Sequence, residues 1–552
     1  MRRSAAGLIA AVVAITAIGA VLRLTGLARR DFWFDESCTF VYVDRLFDWP
    51  DDSSLWVQST NLPYYVLLRG WVALFGDSEA AYRSMSAVAA LLTVPVLALV
   101  AYRLRGAIAA IVCAALVAAH PLQIHYAHEA RAYALWMLLL SLTLLALVGA
   151  CRRGRARWWV LFGCSLLACL HLHYFTILWV PASAACVGLW PDGRRGARRW
   201  AVTVGIAVLA FLPYVFLAIL PAARGGGGAW IASDWDPASA IPESLWALLP
   251  SGGYPAHLRG LSTASHDTVL TQPLWLIAIA WTAPAVIVAA MLVVVTLRAR
   301  RGAAGGGPPD GAIAAVDHTA LAALTLTPLA LAWMYSYVVR PIYLPGRYDL
   351  VAWPGLMIWI AAIIVDTAGA ITRRRRAAIA AAVCVALITC SAIPIARMAA
   401  LRPGPSFHRV RADRLAQRSG ADDLTVVFSY DRYYLLYYLH RAGFRGRVVS
   451  FPSWLDRQIG WLDTASDLDA RRAGELGVDA ARRVRLVLDA LDAGGRAWML
   501  WDSMDSRGRG PRATISVRFF DIAEAAGLQF DLVDPEVGIY AIQRSRVGPP
   551  RS

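Results

Sequence analysis

Residues 5–38 read AAGLIAAVVAITAIGAVLRLTGLARRDFWFDESC. This is an apolar run of membrane length that ends, past Arg29 and Arg30, on the adjacent carboxylates Asp35 and Glu36. Arg2 and Arg3 precede the run as they would in a signal peptide. It is longer than a usual signal core, however, and no small-residue cleavage site follows before Arg29, so it reads as a retained first helix. Phe32, Trp33 and Phe34 lead into the acidic pair. Aromatic rings of this kind favour the membrane–water boundary, where an apolar body and a polar edge are both satisfied. Carboxylates held there face any substrate whose reactive head lies at the same depth. A solvated acidic loop behind an aromatic belt is the other reading, and the rest of the chain weighs between them.

The chain has 552 residues, 58% of them hydrophobic, and a mean hydropathy of +0.50. Soluble domains average about 45–50% apolar residues, so the excess calls for lipid. The formal charge of +16 is carried by arginine. Nucleic-acid binding would need a basic face on a soluble fold, whereas these arginines fall in short clusters between apolar runs. Of eight cysteines, Cys113, Cys164, Cys169, Cys186, Cys384 and Cys390 lie inside apolar segments without metal spacing. They read as small core residues, and no disulfide framework is indicated.

Runs long enough to span recur at 5–27, 84–102, 106–120, 132–150, 158–174, 175–190, 200–221, 272–297, 318–338, 349–370 and 377–397, which predicts about eleven transmembrane helices. The run 158–190 must be divided in two. The arginine clusters at 2–3, 103–105, 152–157, 194–199, 298–301 and 373–376 all fall on one side, which the positive-inside rule makes cytoplasmic. The opposite side then keeps most acids and histidines of the membrane half. The loop 28–83 carries Asp35 and Glu36 and has an amphipathic middle, which predicts helices lying in the interface. The loop 222–271 opens on Arg224 and four glycines and carries Trp230, Trp235 and Trp246; it reads as a flap or as a flexible linker. The stretch 302–310 is a Gly/Pro-rich linker.

Past residue 400 the pattern is that of a soluble domain. Strands at 424–428, 447–451, 497–501 and 539–542, alternating with helices at 433–440 and 478–493, predict a small α/β domain over 401–552. The turn after Phe428 reads Ser-Tyr-Asp-Arg and lacks the glycines that let a backbone approach a pyrophosphate, so it is not read as nucleotide-binding.

Three further stretches carry chemistry-bearing residues on the far side. In His120-Pro-Leu-Gln-Ile-His125-Tyr-Ala-His128-Glu129-Ala-Arg131-Ala-Tyr133, a helix would put Glu129 with Tyr133, and His125 with His128, on shared faces. Ionisable groups at membrane depth are costly and point to function. Three histidines and a glutamate raise zinc, but the spacing matches neither His-Glu-x-x-His nor its inverse. A polar helix start with a solvated Glu129 and Arg131 is the plainer alternative. His171-Leu-His173-Tyr174 lies at the outer end of a helix, where lone histidines are commonly packing residues. Arg340-Pro-Ile-Tyr-Leu-Pro-Gly-Arg347-Tyr348-Asp349 offers guanidinium forks suited to phosphate, or else anchors for helix ends.

Asp35-Glu36 after the first span, WVALFGDSEAAYR at 71–83, HYAHEARAY at 125–133, His173-Tyr174 and Arg347-Tyr348 together resemble the GT-C glycosyltransferases. The likeness is to those of the protein-O-mannosyltransferase and aminoarabinose-transferase type, with the bacterial RgtA/B/C/D-like branch nearest. It covers about residues 10–365. The chain departs from the family at Asn61-Leu62-Pro63-Tyr64-Tyr65, where a His-Pro-Pro-like segment is usual.

The resemblance implies a polytopic helical membrane module over 1–400 and an extracytoplasmic α/β domain over 401–552. It implies transfer of a sugar from a polyprenyl-phosphate donor to an acceptor hydroxyl of the cell envelope, outside the cytoplasmic membrane. By resemblance Asp35 is the base, Glu36 supports it and Glu129 helps to place acceptor or base. Arg131, Arg347 and Tyr348 face the donor phosphate, and Tyr64, Tyr65, His128, Tyr133, His173 and Tyr174 contact substrate. No cofactor or metal ligand set is expected. A transporter or lipid flippase is the rival reading, but its ionisable groups would gather at the bilayer midplane on repeated halves, and no such repeat is evident. A non-catalytic scaffold leaves the carboxylates without a task.

Overall fold

The computed structural model describes residues 2–46, 61–190, 194–221, 231, 235–250, 289, 293, 309–372, 374–400, 407–428, 431–456, 470–501 and 511–545. The chain forms two compact units. One comprises Met1–Leu27, Asn61–Phe216 and Ile231–Arg402; the other comprises Ala28–Thr60, Leu217–Trp230 and Pro403–Ser552.

In chain order the helices are α1 (Arg2–Leu24), α2 (Phe34–Asp44), α3 (Leu62–Phe75), α4 (Glu79–Arg105), α5 (Ala107–Ala118), α6 (Pro121–Ala127), α7 (Tyr133–Arg153), α8 (Ala156–Leu172) and α9 (Trp179–Leu189). They are followed by α10 (Ala197–Tyr214), α11 (Pro237–Leu248), α12 (Pro309–Val338), α13 (Trp353–Ile371) and α14 (Arg376–Ala400). All but α2 belong to the first unit, which makes the chain a multi-pass helical membrane protein.

Among the described residues seven helical segments are long and apolar enough to cross a membrane, or eight if α5 and α6, bent by 55° at their junction, count as one crossing. Of the expected eleven spans, the described residues show seven or eight. The run 158–190 is divided as anticipated, but α8 has only 17 residues and is followed by a 3-10 turn, Tyr174–Leu178, and the 11-residue α9. Neither piece reaches spanning length. All of the expected span 272–297 except 289 and 293, the glycine run of the loop 222–271 and most of the linker 302–310 lie outside the described residues.

Burial sorts the bundle into centre and rim. The apolar windows of Asp349–Ile371 and Tyr133–Arg153 are 89% and 83% buried, against 6% for Ala5–Leu24. The first two therefore form the centre, and α1 turns Ile9, Val13, Ile18 and Val21 outward. Two glycines are required here, one for its backbone conformation and one for a close approach. Gly106 alone joins α4 to α5 at φ +82°, a backbone state that strains other residues. A Cβ on Gly19 would stand 3.2 Å from both Ala118 Cβ and Arg23 Nη1, so α1 meets α5 there through backbone.

A buried ion cluster ties the arginine-rich helix ends together. Asp317 receives Arg105 Nη1 and Arg152 Nη2, each at 2.5 Å, and Trp190 Nε1 at 2.8 Å. Asp366 receives Arg105 Nε at 2.9 Å, His318 Nε2 at 3.1 Å and Arg376 Nη2 at 3.6 Å. These contacts fasten the ends of α4, α7 and α13 to α12 and to the start of α14.

The second unit adds α15 (Phe407–Arg418), β1 (Leu424–Phe428), α16 (Asp431–Arg441), β2 (Arg447–Phe451), α17 (Ala470–Asp492), β3 (Ala497–Leu500), α18 (Pro511–Ala525), β4 (Leu528–Asp534) and β5 (Ile539–Arg544). The sheet order is β2-β1-β3-β5-β4. β1 pairs parallel with β2 and β3, whereas β5 runs antiparallel to β3 and β4. The buried LTVVF of β1 is the continuous apolar run expected of a strand covered on both faces. Val426, Phe428, Val449, Phe451, Met499 and Phe519 are part of the core around it. α2 packs against α16 in this same unit.

Asp423, just before β1, ties the start of β1 to the start of the neighbouring β3. Its carboxylate accepts Gly420 N, Arg496 N and Trp498 Nε1, each at 2.9 Å, and pairs with Arg496 Nε at 3.2 Å. Burial alone pushes its pKa up, but Trp498, the two backbone amides and the Arg496 charge outweigh that and hold it below the ordinary carboxylate range. A depressed folded pKa means stability that is present above the unfolded value near about 4 and lost as pH falls below it. Amides of β1 and β3 in the intact protein should therefore lose hydrogen-exchange protection on acidification from about pH 4 downward. Asp423→Asn should be less protected at neutral pH and show a flatter acid dependence; an unchanged acid profile would release Asp423 from this role.

Candidate active site

Building from the backbone, the first event is a break in a membrane helix. Pro121 has no N–H to continue α5 and disfavours helical geometry in the residue before it; His120 is accordingly extended at φ −71°, ψ 119°. The chain restarts as α6 at 55° to α5. Such a break leaves the last carbonyls of α5 without partners in a medium that has none to offer. Arg23, fully buried on α1, supplies them. It donates to Ala118 O at 2.7 Å, Val117 O at 2.8 Å and Gly19 O at 3.1 Å, and reaches Gln123 Oε1 on α6 at 3.1 Å. His120 Nε2 stands 3.1 Å from both Leu248 O and Trp353 Nε1. α6 is thus held at both faces of the break.

α6 delivers a turn at 128–132 that ends at the start of α7. The sequence reading extended a helix through this stretch and paired Glu129 with Tyr133. The turn separates them, and the pair that forms is His125 Nε2 with Glu129 Oε1, at 3.1 Å. Glu129 and His128 are buried rather than solvated. Arg131 donates to Tyr65 OH on α3 at 3.4 Å, and its own carbonyl accepts Ser86 Oγ of α4 at 3.2 Å. Tyr64 and Tyr65 are both buried, with rings 5.6 Å apart.

The second cation comes from the turn before α13. Tyr126 OH of α6 donates to Gly346 O at 2.5 Å, and Gly346 N donates to Asp349 Oδ2 at 2.9 Å. Between these anchors Arg347 is buried with its guanidinium 5.4 Å over the Tyr133 ring. Tyr133 lies 4.8 Å from Tyr126 and 6.0 Å from His173. His173 stacks on Trp136 at 4.1 Å and lies 5.7 Å from Tyr174 and 5.5 Å from Tyr348. The first unit therefore gathers Tyr65, Arg131, Tyr133, His173, Tyr174, Arg347 and Tyr348 around two guanidinium groups, at the opposite end of α7 from Arg152. Over its 21 residues α7 rises about 31 Å, the depth of a hydrocarbon core. A guanidinium beside an aromatic wall is chemically suited to a phosphate oxygen.

The carboxylates Asp35 and Glu36 are carried by the second unit, in the first turn of α2. They differ in setting. Glu36 is fully buried, its Oε2 3.4 Å from both Arg30 Nη2 and Trp33 N, the return arm of a capping box. Asp35 is half-buried and its side chain is not used to cap the helix. Phe32 and Phe34 are buried inside this unit, at 3% and 8% exposure, and do not form the expected interfacial belt. Among the described residues no group of three or more His, Cys, Asp or Glu side chains is placed to hold a metal ion.

Arg23, Tyr126, Trp136 and Asp349 escaped the sequence reading of the site. Arg23 was detectable, since a lone arginine inside an apolar run demands a partner; Trp136 gives no local signal.

Residues 62–217 match the family described as dolichyl-phosphate-mannose-protein mannosyltransferase. No curated protein matches by sequence. Among solved structures, ArnT from Cupriavidus metallidurans in the apo state is 13% identical over 98% of both chains, with a TM-score of 0.53. The same protein bound to undecaprenyl phosphate is 13% identical over 98% of this chain and 99% of its own, at 0.53. The Archaeoglobus fulgidus oligosaccharyltransferase tethered to an acceptor peptide with the NVT sequon is 12% identical, over 98% of this chain and 74% of that one, at 0.56. The architecture is thus the GT-C fold of membrane glycosyltransferases of the protein-mannosyltransferase and ArnT type.

Arg23 gives this site a test that needs no substrate. Arg23→Met keeps the length but removes the Arg23 donor from Ala118 O, and from Val117 O, which keeps the His120 amide; a buried carbonyl left unanswered costs about 1–3 kcal/mol. The expected outcome is a lower apparent melting temperature in detergent and faster hydrogen exchange over residues 120–132, with α13 unchanged. Wild-type exchange there would show that the break holds itself.

Proposed function

We propose that this chain is a glycosyltransferase that moves one sugar from a polyprenyl-phosphate donor to an acceptor hydroxyl of a cell-envelope lipid, polysaccharide or protein. The site is placed outside the cytoplasmic membrane, in a protein nearest the bacterial RgtA/B/C/D-like branch. The observation that carries the reading is that Arg131 and Arg347 both stand against aromatic side chains, Arg131 at Tyr65 and Arg347 over Tyr133, at the end of α7 remote from the arginine-rich cluster. With that arginine-rich end cytoplasmic, the pair faces outward, as does the α/β domain 401–552. The match to a mannosyltransferase family, the neighbour bound to undecaprenyl phosphate and the archaeal oligosaccharyltransferase with dolichol-phosphate point to the same donor class.

In the step proposed, Asp35 takes the proton of the acceptor hydroxyl as its oxygen attacks the anomeric carbon. The bond from that carbon to the phosphate oxygen breaks, its electron pair stays on the phosphate, and the sugar configuration inverts. Phosphate is already a good leaving group, so no general acid is required. Arg131 and Arg347, with Tyr348, stabilise the charge gathering on it. Glu36, buried at the helix start, keeps Asp35 in place rather than moving a proton. Glu129, braced by His125, helps to orient the acceptor side. Tyr64, Tyr65, His128, Tyr133, His173 and Tyr174 line the path of donor and acceptor.

The test is release of polyprenyl phosphate from a panel of polyprenyl-phosphate monosaccharides, mannose included, by purified protein in lipid with a membrane extract as acceptor. Asp35→Asn should lower transfer by about 10²–10⁴-fold, the usual worth of a positioned base, with undecaprenyl-phosphate binding intact. Glu36→Gln should be milder. Near-normal transfer by Asp35→Asn would retire Asp35 as the base.

Arg347→Lys keeps the charge but loses the two-pronged geometry, so undecaprenyl-phosphate binding should weaken about tenfold or more, and Arg131→Lys likewise. Unchanged binding by both would return these arginines to the role of helix anchors.

A further inference from the structure

The helix that bears Asp35 belongs to the same compact unit as the carboxyl-terminal domain, and its contacts there are unusually specific. Asp31, just ahead of α2 and 7% exposed, pairs with Arg409 Nη2 of α15 at 2.5 Å. Phe32 N donates to Tyr438 OH of α16 at 2.7 Å. The Phe32 ring lies 4.4 Å from Tyr437, and Phe34 lies 5.8 Å from both Tyr433 and Tyr434. Further along the helix, Phe40 packs at 5.2 Å from Tyr437 and 5.7 Å from His440. Past the helix end, Arg45 Nη1 donates to Asp456 O at 3.4 Å. Arg409 is itself set 5.5 Å over the Tyr438 ring, so the ion pair and the hydrogen bond share one support.

The tyrosine-rich face of α16, read from sequence only as an aromatic helix, is thus the surface on which α2 is built. The rings on either side of Asp35 in sequence are used up in this docking. A short helix of 11 residues has little stability of its own in water, so its orientation is inherited from what it packs against. A carboxylate that must meet a hydroxyl in a defined geometry cannot tolerate a loose mount, since a misplacement of about 1 Å can cost 10²-fold in rate.

We infer that the carboxyl-terminal domain works in the reaction as the cradle of the catalytic helix, with Asp31, Arg409 and Tyr438 as positioning residues for Asp35. The inference rests on the reading of Asp35 as the base. It assigns the domain a task in catalysis without asking it to bind sugar, lipid or partner.

The test uses the full-length protein in lipid and two independent readouts. The first is hydrogen exchange over residues 31–45, which needs no substrate: Arg409→Gln and Tyr438→Phe should speed exchange there and leave α13 unchanged. The second is polyprenyl-phosphate release from the monosaccharide panel. Each variant should lower kcat by about 10–100-fold while KM for the donor and undecaprenyl-phosphate binding stay at wild-type values. The swap Asp31→Arg with Arg409→Asp should recover kcat to within a fewfold of wild type, whereas either change alone should not. Arg544→Gln, which breaks an exposed pair with Asp492 in the same domain, should change neither readout. Unchanged exchange at 31–45, or full kcat in both variants while Asp35→Asn is inactive, would overturn the cradle and leave the base assignment standing. Near-normal transfer by Asp35→Asn would instead remove the base assignment, and exchange at 31–45 would still decide whether the mount exists. Loss of undecaprenyl-phosphate binding in step with kcat would mark a general folding defect and also overturn the inference.

Discussion

A hydrocarbon medium offers no hydrogen bonds, and a helix that breaks inside it must find them within the protein. That constraint, met by Arg23 at the end of α5, is what the rest of the membrane unit depends on. Once the carbonyls of Val117 and Ala118 are answered, α6 can leave at its 55° angle. α6 then carries Tyr126 to Gly346 and His125 to Glu129. The turn that presents Arg131 and the turn that presents Arg347 are therefore both registered to one break. A straight α5–α6 helix would carry neither contact to its place.

Charge is distributed in this unit with a similar economy. At one end of the bundle the arginines are answered by Asp317 and Asp366, each taking more than one partner, as buried charges must. At the other end Arg347 stands over the Tyr133 ring and Arg131 donates to the Tyr65 hydroxyl. A cation over a ring is held in direction yet keeps its affinity for an anion. The same side chain thus fastens helices at one end and stands against aromatic side chains at the other.

The parts of this molecule that were legible in sequence are those with a local signature. Apolar runs gave the spans, LTVVF gave the buried strand β1, and Arg131 and Arg347 stood out as charges at helix ends. Legibility failed where a partner far along the chain decided the outcome. Phe32 and Phe34 read as an interfacial belt because nothing nearby shows that Tyr433, Tyr434 and Tyr437 bury them. β4 went unread because its sequence, LQFDLVD, is the exposed edge strand of the sheet and carries little apolar signal. Glu129 was matched to the wrong neighbour because the helix period was carried through a turn. Arg23 was a missed opportunity, since its cost in an apolar run is itself information.

The contacts that mount α2 are separated by 378 residues between Asp31 and Arg409, and by 406 between Phe32 and Tyr438. Translation at about 5–20 residues per second puts roughly 20–80 s between the emergence of the two halves of this mount. During that interval the segment around Asp35 exists without its partner, while the membrane helices between are being inserted. The reading frame thus acts as a timer: the acidic helix is made early and completed last. A chain interrupted between α14 and α15 would hold every candidate membrane span among the described residues, and Arg131 and Arg347 with them, yet lack the finishing contact.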